Sequence, residues 1–315
     1  RVLSCSAIEQ LATCPFAYFM KYVLWITVPD RLEYDGERWL PAQERGSLLH
    51  DVYRRFLKYL GDRKVDFQQH HHVIREMARE LIEAYAEKIP PPNDLVFQAE
   101  ADEIYRAGEL FLKGHEAFKE YRPLMFEVPF GIGPGAVERA GCGLADPVRV
   151  ELENGASFLL QGIIDRIDRG PDGGFVVWDY KTGSAYGYQE QGYLKRGRHV
   201  QHALYAVAAE EILRQMGERE PRVTVAGYYF PTERGEGRQI LRSQDNRSLV
   251  RKTLGYLFDL LRAGMFLPAE DGESCGFCDY REVCCYERAG ARTREILNGN
   301  PDGYLVPWRR LMEIE

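Results

Sequence analysis

Two aspartates and a lysine within one short stretch carry the strongest chemical signal in this sequence. The run LLQGIIDRIDRGPDGGFVVWDYKTG, residues 159–183, sets Pro171, Asp172, Gly173 and Gly174 between two alternating apolar segments, the pattern of a β-hairpin. With its turn centred near residues 171 and 172, opposed positions carry numbers that sum to about 344, and Asp165 and Asp179 meet that condition. Opposed residues hold their Cβ atoms roughly 4.5–5.5 Å apart on one face. Lys181, two positions beyond Asp179, points the same way. Two acids and an amine so gathered suit a hard cation such as Mg²⁺ or Mn²⁺, which takes carboxylate and phosphate oxygens. The cation would polarise a phosphodiester and help generate hydroxide, while Lys181 orients the nucleophile or neutralises developing charge. A solvent-facing salt-bridge ladder has the same spacing, but Ile163, Ile164, Val176, Val177 and Trp178 mark interior strands, where charge is costly.

A second group of ligand-type residues lies near the end of the chain. Cys275, Cys278 and Cys284 form C-x₂-C-x₅-C, and the two-residue gap lets the first pair reach one metal centre. A fourth ligand must come from elsewhere. Spacing alone leaves an iron–sulfur cluster and a structural Cys₄ zinc site equally open. Cys285 competes with Cys284, although the five-residue gap favours the latter, and Cys5 and Cys142 read as small buried apolar residues. Seven cysteines is an odd number, and it fits metal ligation in a reducing cytoplasm better than a disulfide framework.

The elements that must position these groups follow from periodicity. From Ser4 to about Ile26 apolar residues recur at helical spacing behind a serine cap, with Cys14 inside this helix or at a break before Pro15. Helices are also predicted over about 45–60, carrying His50, over 70–88, ending at Pro90, Pro91 and Pro92, and over 98–120. Strands are predicted near 124–130, 147–152, 157–168 and 174–181, then a helix over 198–215, a strand over 222–230 and a helix over 247–263. The cysteine segment and a polar tail close the chain. The triple histidine His70, His71 and His72 cannot share one helical face and reads as surface. This order predicts an α/β fold with a mixed sheet flanked by helices, organised as a helical region over 1–97, a core over 98–245 and a cysteine-bearing closing region over 246–315.

With 315 residues, 45% of them hydrophobic, the chain can bury one large core or a core plus a helical subdomain. No apolar run approaches the roughly 20 residues that span a bilayer, so we expect no membrane segment and a cytoplasmic location. The opening Arg1, with no signal pattern after it, suggests a fragment of a longer polypeptide. A net charge of −7 argues against coating nucleic acid through bulk electrostatics, so any such contact must be local. Arg54 with Arg55, and Lys195, Arg196, Arg198 and His199, are basic clusters that could serve, and each could equally be a solvated face.

The hairpin resembles the PD-(D/E)XK nuclease superfamily in its RecB-like branch. Its G-x-x-D-R-x-D pattern stands here as Gly162 to Asp168, and its D-Y-K as Asp179, Tyr180 and Lys181. ERGSLLHDVYRRF resembles the upstream motif with a metal-binding histidine, His50, and QHALY resembles Q-x-x-x-Y, with Gln201 and Tyr205. The resemblance implies a restriction-endonuclease-like core in which His50, Asp165 and Asp179 bind metal, Lys181 is catalytic, and Gln201 and Tyr205 contact DNA or support the site. Glu127, in FEVPF, stands where the family often has an acid on its first strand, although a strand-edge glutamate in solvent looks the same. Without the resemblance, His50 would read as a packed or exposed helix residue and Gln201 with Tyr205 as a helix-surface pair.

LATCPFAYFMKY resembles the N-terminal segment that supplies the distant ligand in the iron–sulfur nucleases of this branch. That implies a [4Fe–4S] cluster on Cys14, Cys275, Cys278 and Cys284, with Zn²⁺ as the alternative. The opening segment, the histidine helix and CGFCDYREVCCYE together resemble the C-terminal nuclease region of AddB-type helicase–nuclease subunits. The implied activity is metal-dependent, exonuclease-type hydrolysis of single-stranded or unwound DNA ends in recombination and repair. A catalytically inactive DNA-binding or structural subunit would keep the same fold and cluster, but has no need of Asp165, Asp179 and Lys181 together. There is no Gly-Lys dipeptide and hence no Walker A loop, so a helicase would be a region or partner subunit outside this chain.

Overall fold

A computed structural model of the chain describes residues 2–27, 35–188, 192–270, 272, 275, 276, 278–299, 303 and 305–314. Parts of the expected cysteine segment and tail, at 271, 273, 274, 277, 300–302, 304 and 315, lie outside the described residues. The sheet has seven strands: β1 (Val2–Ser4), β2 (Arg122–Phe130), β3 (Val148–Glu151), β4 (Ser157–Arg169), β5 (Phe175–Tyr180), β6 (Val223–Tyr229) and β7 (Gln239–Ser243). The long strand β4 is the hub. Its first part runs between β1, parallel, and β3, antiparallel, and its second part between β2 and β5, both antiparallel. β5 then pairs with β6 in parallel and β6 with β7 antiparallel, so the sheet is mixed.

The parallel β5–β6 pair needs a crossover, which α7 (Gln201–Gln215) supplies. Every residue of β5 is buried because both sheet faces are covered. Phe175 and Val177 face a core shared with α1 (Cys5–Thr13) and α7, whereas Val176, Trp178 and Tyr180 face one shared with α3 (Ala42–Leu60), α4 (Phe67–Lys88) and α5 (Asp94–Ala117). In α3, Leu48, Val52, Phe56 and Leu60 recur every four residues, and Leu49, Tyr53 and Leu57 fill the adjacent row. Phe56 is fully buried, so Phe56→Ala would cost about 3–5 kcal/mol. Side-chain caps on backbone amides start three helices: Ser4 for α1, Asp66 for α4 and Asn93 for α5.

The expected helix over Ser4–Ile26 is broken at Cys14. That residue is extended at φ −155° and ψ 101°, and Pro15 opens a short second helix, α2 (Pro15–Tyr18), which passes into a wider π turn over Phe19–Val23. Proline clashes with a helical predecessor and fits a first helical turn, which explains both halves of the break.

Between the strands expected at 124–130 and 147–152 the structure adds a short helix, α6 (Pro134–Ala140), none of whose residues is buried, so it has no apolar stripe to read. Two expectations need correction. His70 is buried, not surface. Its Nδ1 accepts from the Asp66 amide at 3.1 Å and its ring lies edge-on to Phe56, while His71 and His72 are exposed. The closing segment after α8 (Arg247–Arg262) is not simply a polar tail. It folds into α9 (Arg281–Cys284), α10 (Tyr286–Gly299) and α11 (Val306–Met312), and Leu305, Trp308, Leu311 and Ile314 enter the core beside α8. Pro307 disguises α11 in the sequence, yet it lies in the first turn, where its missing N–H costs nothing.

Candidate active site

Asp165 and Asp179 lie at the interior ends of the paired part of the hairpin. The β4–β5 register runs Arg166 to Trp178 and Ile167 to Val177, and one further step sets Asp165 opposite Asp179, as the turn-centred reading predicts. Asp165 Oδ2 accepts from the Tyr180 amide at 2.7 Å, which clamps the strand end. The Lys181 ammonium lies 2.6 Å from Asp179 Oδ2 and donates to Gln201 Oε1 at 2.9 Å. Gln201 opens α7, and one turn on Tyr205 sits edge-on to Phe130 above Gly162. A Cβ at Gly162 would come within 3.2 Å of both rings, so glycine lets α7 approach the strand.

His50 enters from α3 on the other side. Its Nδ1 is 3.2 Å from Glu127 Oε1 and 3.7 Å from Asp165 Oδ1, and its ring is edge-on to Tyr180. Glu127 is reached by a backbone departure: it has φ 49° inside β2, between paired residues Phe126 and Val128. A non-glycine residue in that region costs of order 1–3 kcal/mol and persists where surrounding structure holds it. Here that conformation accompanies a glutamate carboxylate beside His50 and Asp165.

The electrostatics reflect this crowding. Burial alone would pull the His50 imidazole down, but Asp165 and Glu127 outweigh it and hold the group up at about 9. Burial pushes Asp165 up to about 7, against the pull of His50 and with the help of Asp179 and Glu127. Burial also opposes the Lys181 charge, and the Asp179 carboxylate reverses that and raises it. One ligand atom each from His50, Glu127 and Asp165 fits within 4.8 Å of the others. Asp179 Oδ2 is buried and makes no aligned hydrogen bond even to the nearby ammonium. An imidazole and three carboxylates, one of them paired with Lys181, are a donor set for a hard or borderline divalent cation.

The thiols gather at the chain's other ligand-type site. Cys14 at the α1–α2 break, Cys275 and Cys278 on one turn, and Cys284 at the end of α9 line one small cavity of about 20 Å³. Burial and then the neighbouring thiols push Cys284 up to about 11. Cys285 does not line the cavity. It is exposed, adopts φ 51° and donates back to the Glu282 carbonyl at 3.6 Å. Cys5 is buried and Cys142 half-buried.

A family model described as the PD-(D/E)XK nuclease superfamily matches residues 2–285. The chain belongs to this superfamily. Its mixed sheet with flanking helices is the restriction-endonuclease-like α/β fold expected of a PD-(D/E)XK protein. Similar relatives are two proteins named as the B-type subunits of ATP-dependent helicase/deoxyribonucleases. The one from Clostridium tetani is 26% identical over 198 residues, 58% of this chain and 15% of that protein. The one from Carboxydothermus hydrogenoformans is 29% identical over 252 residues, 73% of this chain and 20% of that protein. The chain therefore matches about a fifth or less of these relatives' length.

Two features of this PD-(D/E)XK site were not read from the sequence. Glu9 of α1 accepts from the Gln201 amide at 3.0 Å, and burial pushes its carboxyl up to about 7 despite the nearby Lys181. In the D-R-x-D pattern, Arg166 and Asp168 form a fully buried pair at 2.6 Å, joined by Trp178 Nε1 at 3.0 Å and His115 Nδ1 at 3.0 Å. The signal for the pair was present, since two opposite charges two apart on an interior strand share a face and need each other. Glu9 had no such signal: a lone glutamate in an amphipathic helix is ordinarily solvated.

Proposed function

We propose that this chain is a divalent-metal-dependent deoxyribonuclease domain that cleaves single-stranded or unwound DNA ends in the manner of an exonuclease. The observation that carries the reading is the convergence of His50, Glu127 and Asp165 within 4.8 Å, next to the Asp179–Lys181 pair. The names of the relatives, helicase/deoxyribonuclease subunits, support DNA as substrate and a helicase region or partner subunit outside this chain; a role in recombination and repair is part of the same proposal. Among the described residues no helix is long and apolar enough to cross a membrane.

In this reading His50, Asp165 and Asp179 hold Mg²⁺ or Mn²⁺, with Glu127 as a fourth donor. Such a cation supplies Lewis acidity toward a phosphate oxygen and lowers the pKa of bound water. The remaining work falls to the chain's own groups. Lys181, fixed between Asp179 and Gln201, presents its ammonium to the reacting phosphate and offsets charge as it develops. Glu9 and Gln201 fix the start of α7, and Tyr205 closes the floor over Gly162. The protons held on His50 and Asp165 are those a cation would displace.

For the thiol site we propose a [4Fe–4S] cluster on Cys14, Cys275, Cys278 and Cys284. The reading rests on the four thiols meeting at one cavity and on the resemblance of the segments that carry them to the iron–sulfur nucleases of this branch, with one structural Zn²⁺ as the alternative. The test is anaerobic purification, iron and zinc analysis, then assay on end-labelled single-stranded and duplex DNA with Mg²⁺, Mn²⁺ or EDTA. Cleavage with either cation and none in EDTA is expected. Equal cleavage in EDTA would refute the metal assignment, and stoichiometric zinc without iron would replace the cluster.

A further inference from the structure

We propose that the groove between α3 and α6 is the track for a single DNA strand on its way to the acidic site, with Arg139 gripping a phosphate and Ile132 and Ile163 bearing on sugar and base faces. This rests on the nuclease reading above and assigns that site's selectivity for unpaired DNA to named residues.

The groove has a volume of about 570 Å³ and is continuous with the acidic site, since His50 and Glu127 are part of its lining. That volume falls in the range that holds a small organic ligand, roughly 300–1,000 Å³, and suits a nucleotide unit or two. One wall is α3, from Ala42 to Arg54; the other is the end of β2 with α6; Ile163 of β4 lies between them. Its charge is arranged for a polyanion. Asp51 is paired with Arg54 at 2.6 Å, and Glu127 is turned to His50. Arg139 is exposed, lines the groove, and has no carboxylate partner among the described residues. A guanidinium in that state recognises phosphate through its planar fork of donors.

The apolar members point to an unpaired strand. Ile132 and Ile163 are 41% and 43% exposed and line the same groove, so together they offer apolar surface beside its charged end. In a duplex the base faces are stacked inside and only phosphates and groove edges are offered. A single strand exposes its base faces, and sequence-tolerant binding of such strands combines cationic contacts along the backbone with apolar or aromatic platforms for the bases. The shape of the turn also fits. Gly131 at φ 73° lies against Pro147, where a Cβ would come within 2.9 Å of the Pro147 backbone, and this close approach fixes the loop that carries Ile132.

The test uses the full chain, wild type and Ile132→Ser, Arg139→Ala and Arg139→Lys, each checked for an unchanged melting temperature. A fluorescein-labelled thymidine 12-mer, alone or annealed to its complement, is titrated by anisotropy in Ca²⁺ over a range of salt, and Mg²⁺-dependent cleavage is followed separately. Arg139→Ala should weaken single-strand binding about tenfold and lower the slope of log K against log salt by about 0.7, one phosphate's worth for a single strand. Arg139→Lys should restore the slope. Ile132→Ser should weaken single-strand binding about fivefold with no change in slope, and both variants should raise KM more than they lower kcat. Unchanged affinity and slope in both variants would overturn the track, and parallel losses for duplex and single strand would overturn its strand selectivity. A wild type that binds as described but cleaves nothing would instead refute the nuclease reading and leave the groove standing.

Discussion

The two ligand-type sites are built in opposite ways. The acidic site stands on sheet strands: Glu127, Asp165 and Asp179 come from β2, β4 and β5, and of these β5 is buried throughout. The thiol site is assembled from a helix break, a turn and a four-residue helix, and the core local to it is small, centred on Ala17, Met20 and Tyr280. A site on the sheet should keep its geometry with or without a bound ion, because the strands offset the crowding of charge. A site made from loop ends takes its order from what it binds. The two should therefore respond differently to the same kind of substitution.

Lys181→Ala and Asp179→Ala should each lower cleavage by at least about 10³-fold, roughly 4 kcal/mol in the barrier, while folding survives. Each change leaves its partner's charge buried without a counter-ion, so a modest fall in melting temperature is expected for both. Robust cleavage by a folded Lys181→Ala protein would remove the site assignment.

The next effect lies inside the rigid half. His202 of α7 is buried, and burial pushes it down to about 4 although its Nε2 stays near the Tyr193 carbonyl at 3.1 Å. An ordinary imidazole in the unfolded chain titrates near 6.5. The unfolded state therefore takes up the proton first, and the stability present above pH 6.5 is lost as pH falls toward about 4. Over that window the loss should be about 3 kcal/mol. Denaturant titrations of wild type and His202→Gln at pH 7 and pH 4.5 read it directly, and equal acid sensitivity of the two proteins would count against it.

At the thiol site, Cys14→Ala or Cys278→Ala should abolish the visible absorbance of the proposed cluster and make the segment around 265–285 susceptible to protease. The sequence alone suggests that the closing segment has few anchors besides its cysteines, which would make this loss global. Trp308, Leu305, Leu311 and Ile314 anchor it independently, so global stability should fall by only about 1–2 kcal/mol, less than the 3–5 kcal/mol expected for Trp308→Ala. A colourless Cys14→Ala protein with unchanged protease sensitivity would show that the site organises nothing. The smallest effect belongs to Glu9→Ala, expected to cost about tenfold in kcat through a loosened α7 start and about 1 kcal/mol of capping. Glu9→Gln keeps an acceptor for the Gln201 amide and should recover most of the rate; equal losses in the two variants would mean the charge, not the cap, is what counts.

Much of this was readable from local pattern. Periods of two and near four gave the interior strands and the long helices, and the turn residues at 171–174 aligned Asp165 with Asp179. What escaped depends on distant or local backbone events. Glu9 meets Gln201 across 192 positions, and nothing near either residue encodes that meeting. The positive φ that accompanies Glu127 at His50 has no glycine to announce it. α6 lacks a buried face, and α11 hides behind a proline.

The pairing of β1 with β4 also sets a clock. Val2–Ser4 dock beside residues 159–161, so during synthesis the segment that bears Glu9 and Cys14 leaves the ribosome about 150 residues ahead of its partner strand. At about 5–20 residues per second that is a wait of roughly 8–30 s, during which the start of α7 has not been made and Glu9 has no amide to cap. The pocket thus gains its last support late, when the start of α7 emerges, and the first helix of the chain waits for an amide encoded 192 positions further on.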